Sequence, residues 1–130
     1  MSQVSRRPLK KDVQERIFDI LTDSILNINR TDDVYSFIQD LLSPTEQLMI
    51  AKRIAIAFML HKGYNQRTIS NALKVSVTTV NKVNNVLQIS GKGYRRVIQS
   101  IISKDKQKEF WKQIEDFILE FVKPKREAWR

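Results

Sequence analysis

An all-α fold built around a helix-turn-helix is the prediction for this 130-residue chain, with about six to seven helices. Three observations carry it. Apolar residues recur at spacings of three and four through most of the chain. Glycine and proline are scarce, three of each, and fall where such periodic segments begin or end. The stretch from Asn65 to Leu87 reads as two short helices joined by a turn.

Taken in order, residues 1–11 form a basic arm, expected to be flexible, and no apolar segment of a secretory signal follows it. A helix from Asp12 to Ile28 carries the stripe Val13, Ile17, Ile20, Leu21 and Ile25. A shorter one, Asp32 to Leu42, turns Val34, Phe37, Ile38 and Leu41 inward. Ser43-Pro44-Thr45-Glu46 is a capping box, with Ser43 as N-cap, Pro44 at the first helical position and Glu46 reaching back. The helix it opens runs to about His61 and is apolar nearly all round in its second half, so it is expected to be the most buried. Gly63 is placed to cap its C-terminus.

The segment Val75 to Asn81 nearly alternates and is rich in β-branched residues, which taken alone suggests a strand. Its surroundings argue otherwise. Asn65 can cap a helix in which Ile69 and Leu73 share a face, Ser70 leaves room for a crossing helix, and Lys74-Val75-Ser76 is the turn. Ser76 then caps a second helix, Val77 to Leu87, with Val80, Val83 and Leu87 on one face and Thr78, Thr79, Asn81, Lys82 and Asn85 on the other. Glycine is usual where Lys74 stands, and a left-handed lysine there costs about 1 kcal/mol. Residues 88–94 are expected to form a flexible loop, followed by a helix from about Tyr94 to Ile102. The stripe Phe110, Trp111, Ile114, Phe117, Ile118, Phe121 and Val122 marks a final amphipathic helix over about 105–122, ended by Pro124 and followed by a basic tail. The domain plan is thus an arm at 1–11, a helical domain at 12–103 with the helix-turn-helix at 65–87, and a C-terminal element at 104–130.

With no cysteine and a single histidine, His61, disulfides, thiolate chemistry and multi-histidine metal sites are excluded. No phosphate-binding glycine loop of the nucleotide-hydrolase type is present, so neither enzyme activity nor a cofactor is expected. The longest apolar run, Ile54 to Leu60, is too short to span a membrane, and the protein is read as soluble and cytoplasmic. The net charge is +9, and its placement is informative: ten basic residues and no acidic one lie between Glu46 and Asp105, while the flanks are near balance. Such an acid-free window suits a polyanion, double-stranded DNA first, better than a solvated face of mixed sign.

Asp40 to Leu42 followed by Ser43-Pro44-Thr45-Glu46-Gln47, Arg53 ten residues on, the helix-turn-helix from Ile69 to Asn84, and the Gly91-x-Gly93-Tyr94 stretch together resemble the Trp repressor superfamily. The similarity is greater to its Trp-repressor-like branch of the YerC/YecD type, where S-T-A-T-I-S-R-V-N takes the place of residues 76–84. It covers roughly Ile25 to Ile102 and leaves the C-terminal helix outside. The resemblance implies an intertwined helical homodimer whose two helix-turn-helix heads bind DNA. By position it also places the family's amino-acid pocket on Ser43, Arg53, Lys82, Val83 and Val86. Lysine lacks the planar fork that grips a carboxylate, and two valines replace a glycine and a serine, so L-tryptophan is not expected as effector.

The function expected is therefore that of a dimeric, sequence-specific DNA-binding regulator of transcription. Val77, Thr78, Thr79, Asn81 and Lys82 would read base edges, and Gln66, Arg67, Ser76, Lys92, Arg95 and Arg96 would hold phosphates. Two alternatives use the same features: an RNA- or ribosome-associated binder with Tyr64 and Tyr94 as stacking platforms, or an interaction adaptor docking through the C-terminal helix.

Overall fold

Three side-chain caps and one glycine set helix ends in the computed structural model, which describes residues 7–103 and 108–116. Ser43 and Glu46 close their box reciprocally: the Ser43 N–H donates to Glu46 Oε1 at 2.9 Å and the Glu46 N–H donates to Ser43 Oγ at 3.2 Å. The Ser43 backbone N–H, and after it the Ser43 hydroxyl, hold the Glu46 carboxyl below its ordinary pKa. Because folding lowers that value, the box contributes fully above the unfolded carboxylate range, and its contribution is lost as the pH falls through the lowered one. Asn65 Oδ1 accepts from the Thr68 N–H at 2.8 Å, and Ser76 Oγ from the Thr79 N–H at 3.1 Å. Gly63, at φ 101°, ends its helix with paired bonds from the Gly63 N–H to Leu60 O and from the Tyr64 N–H to Met59 O, both 3.1 Å.

The described residues are all helical and contain no strand. The helices are α1 (Lys11–Leu26), α2 (Thr31–Leu41), α3 (Pro44–Lys62), α4 (Gln66–Leu73), α5 (Val77–Ile89) and α6 (Lys92–Ile102), and a seventh, α7, covers 108–116. None of them is long and apolar enough to cross a membrane. The N-terminal arm through residue 6, Lys104, and the expected stripe residues Phe117, Ile118, Phe121 and Val122 with Pro124 lie outside the described residues.

Two compact units divide the chain after Ile50. In the first, neither α1 nor α2 has a buried residue. The stripe Val13, Ile17, Leu21 and Ile25 stays 37–55% exposed, and Val34, Ile38 and Leu41, expected to face inward, are exposed as well. The periodicity is that of amphipathic helices, and both apolar faces stay exposed among the described residues.

The second unit holds the core. Ile56, Ala57, Phe58 and Met59, consecutive on α3, are all buried, as the run of apolar residues predicts. Around them cluster Ile69 and Ala72 of α4, Val80 and Val83 of α5, Ile98 of α6 and Trp111 of α7. Phe58 meets Phe110 and Trp111 at ring separations of 4.7 and 6.2 Å, and Lys62 Nζ sits 4.7 Å above the Trp111 ring. The described part of the C-terminal helix is therefore packed, with Phe110 and Ile114 also against the core.

The expected loop at 88–94 is replaced by a two-residue junction, Ser90-Gly91, because α5 continues to Ile89 and α6 begins at Lys92. A Cβ on Gly91 would lie 2.7 Å from Leu87 Cα, so glycine is required here by the close approach of the two helices.

The turn after α4 carries one strained residue. Lys74 adopts φ 56°, ψ 50°, and is the single non-glycine residue with positive φ among those described. Its N–H and that of Val75 both donate to Ser70 O, and Lys52 Nζ donates to Lys74 O at 3.4 Å. Replacing Lys74 by glycine is expected to raise stability by up to about 1 kcal/mol, tempered by the greater freedom of glycine in the unfolded chain. A thermal melt of Lys74→Gly that shows a lower midpoint would contradict this account of the turn.

Candidate nucleic-acid interface

Helices α4 and α5 pack on each other through small and branched side chains. Ile69 and Ala72 face Val80 and Val83 within one core, and Ser70 Oγ donates to Val75 O at 2.6 Å across the turn. Valine is favoured on this face because two short helices that cross closely leave little depth for longer side chains. The opposite face of α5 is open. Val77, Thr78, Thr79, Asn81, Lys82 and Asn85 are all exposed. The β-branched, nearly alternating segment is thus a turn valine, a cap and the first turn of a helix.

These exposed groups differ in how free they are. Among the described residues, the side chains of Thr78, Asn81 and Lys82 make no hydrogen bond. Thr79 Oγ1 is 2.9 Å from Ser76 Oγ, so the N-cap engages it. Gln66 and Arg67 form the first turn of α4, half-buried and exposed respectively, and Lys92 opens α6 with Arg96 one turn later.

The basic residues also separate into two groups that the sequence does not distinguish. Lys52 bonds Lys74 O, and Lys62 pairs with Trp111 and, at 4.0 Å, with Glu115. Arg95 donates from its guanidinium to Leu87 O at 2.7 Å and to Ser90 O at 3.3 Å. It thereby satisfies carbonyls at the C-terminal end of α5, which have no partner within the helix. Arg53, Arg67, Lys82, Lys92 and Arg96 have no partner among the described residues. His61 is exposed beside Arg95 and Asn84 at a small depression.

The five pocket positions are distributed as follows. Ser43, in the first unit, uses its hydroxyl in the capping box. In the second unit Arg53 and Lys82 are exposed, Val83 is part of the core, and Val86 is 44% exposed. Val86 lines an open depression of about 650 Å³ with Ile54, Gly91, Tyr94 and Val97. Arg53, Lys82 and Val83 are not among its lining residues. Sequence reasoning missed this depression, and the glycines at 91 and 93 that border it are its only sequence trace.

The family model described as Trp repressor protein matches residues 16–102, which takes in α1 from its second turn through α6. The chain belongs to the Trp repressor family. This is a family of DNA-binding regulators rather than of enzymes. An uncharacterized protein of Bacillus subtilis (strain 168), YerC, is 26% identical over 83 residues, which make up 64% of this chain and 80% of that protein. No solved structure matches. Helix α7 lies beyond the part matched by the Trp repressor family, so the contact of Trp111 with Phe58 is an addition to it.

Because Arg95 joins α5 to α6, Arg95→Ala is expected to lower stability by about 1 kcal/mol through its lost carbonyl contacts. Chemical denaturation without DNA checks this, and an unchanged midpoint would leave Arg95 as a surface charge.

Proposed function

We propose that the protein is a dimeric, sequence-specific DNA-binding regulator of transcription, acting in the cytoplasm, that inserts α5 into the major groove. One observation carries the reading. Residues 51–103 of the acid-free window lie in the second unit, whose α5 buries valines on one face and exposes Val77, Thr78, Thr79, Asn81 and Lys82 on the other. Threonine, asparagine and lysine are side chains that reach base edges, and the docking is that of helix-turn-helix proteins, the Trp repressor among them. Arg67, Lys92 and Arg96 take phosphates, assisted by Gln66 and Ser76, whereas Arg95 acts first on the α5–α6 junction.

A second copy of the chain is the partner this reading assigns to α1 and α2. Their apolar stripes stay exposed among the described residues, and an intertwined dimer would cover them. Burial of Val83 supports a head that is set for DNA without L-tryptophan, because its side chain belongs to the core where the family's ligand would need space. RNA binding is less well supported. Tyr64 and Tyr94, the aromatics available for stacking, are half-buried and packed against the core. Docking through the C-terminal helix is disfavoured by the burial of Trp111.

With five cations of the acid-free stretch, Arg53, Arg67, Lys82, Lys92 and Arg96, without a partner among the described residues, duplex binding by a dimer should fall with salt at a log–log slope on the order of −9. Fluorescence anisotropy across a salt series measures it. Equal or tighter binding to single-stranded RNA at the same salt would favour the RNA reading. Dimerisation through shared helices makes the melting temperature rise with protein concentration. A folded monomer in sedimentation at micromolar concentration would exclude that dimer.

A further inference from the structure

Thr79 stands apart from the other exposed residues of the recognition face. Ser76 Oγ accepts its backbone N–H at 3.1 Å and lies 2.9 Å from its side-chain Oγ1. A serine hydroxyl carries one donor and two acceptor sites, so both bonds coexist whichever hydroxyl donates in the second. Ser76 therefore holds Thr79 at two points, one on the backbone and one on the side chain. The Cβ of threonine bears only a hydroxyl and a methyl, and its χ1 occupies few wells in a helix. Tying the oxygen back to the N-cap selects one of them and leaves the methyl as the unengaged group of this exposed side chain. Thr78 next to it and Asn81 have no such tie.

We propose that Thr79 is a specificity-determining residue that reads its base through the methyl group, against the 5-methyl of thymine, and that Ser76 is the positioning residue that turns the hydroxyl away. This rests on the DNA-binding reading above. Thymine is the natural partner because its C5-methyl is the apolar feature that the major groove displays. Hydrogen-bond readout on α5 then falls to Thr78, Asn81 and Lys82, and Thr79 supplies an apolar contact between them.

The test uses the full chain and a duplex selected by it from random sequences. Each thymine of that site is replaced in turn by deoxyuridine, which removes only the 5-methyl, and affinity is measured at fixed salt. One such replacement is expected to weaken the wild-type protein by about fourfold, the value of one buried methyl group. Thr79→Val should keep both the preferred site and the uracil penalty. Thr79→Ser, which retains the hydroxyl and drops the methyl, should bind the thymine duplex as weakly as the uracil one. Ser76→Ala should diminish the penalty by releasing the hydroxyl, and the Ser76→Ala/Thr79→Val double variant should restore it. Loss of a helix cap alone weakens all duplexes alike and does not change that ratio. Melts confirm that each variant is folded at the assay temperature, and Thr79→Val and Thr79→Ser decide the matter if Ser76→Ala is not. A full uracil penalty in Thr79→Ser, loss of site preference in Thr79→Val, or indifference of the wild type to uracil at every thymine overturns the proposal while leaving DNA binding intact. Failure of the wild type to select any duplex overturns the DNA-binding reading itself, and the proposal with it.

Discussion

Burial of four consecutive α3 residues, Ile56 to Met59, is the constraint on which the second unit depends. A helix covered on all sides must be wrapped by several others, since one neighbour can bury only one face. Helices α4 to α7 each contribute at least one buried residue to that wrapping. Helix α5 is thus held from behind by Val80 and Val83, and its outer face is left to exposed side chains outside the core. The α4–α5 pair, thin in its own core, packs on α3.

The first unit follows the opposite logic. Its helices have regular apolar stripes, and their ends are well formed, with Asn27 Nδ2 donating to Asp23 O at 2.7 Å and Gln47 Nε2 to Leu42 O at 2.9 Å. Yet no residue of α1 or α2 is buried. Local hydrogen bonds specify where these helices begin and end, and their apolar stripes stay exposed among the described residues.

What was legible in the sequence was what acts over three or four residues. Ser43, Asn65 and Ser76 cap as predicted because each bond joins a side-chain oxygen to an N–H three positions on. The two faces of α5 were legible for the same reason. What escaped was tertiary. Gly91 and Gly93 suggested a flexible loop, but Gly91 is there for close approach, and Arg95 reaches back eight residues to Leu87 O. Nothing local marks Lys52, Lys62 or Arg95 as engaged, since the partner of Lys52 is a carbonyl twenty-two residues away. The exposure of the α1 and α2 stripes could not be read either, because periodicity tells which face is apolar and not whether anything covers it.

The Ser90-Gly91 junction has a mechanical consequence. Two residues, one of them wedged against Leu87 and bridged by the Arg95 guanidinium, leave almost no slack between α5 and α6. The two helices therefore behave as one bent lever. Any tilt imposed on α5 is transmitted as torque to α6 instead of being absorbed at the joint, and from there it reaches Ile98 and the packed interior. In such a lever, stiffness resides in a single side chain whose grip is electrostatic, while the pivot is set by the absence of one carbon atom.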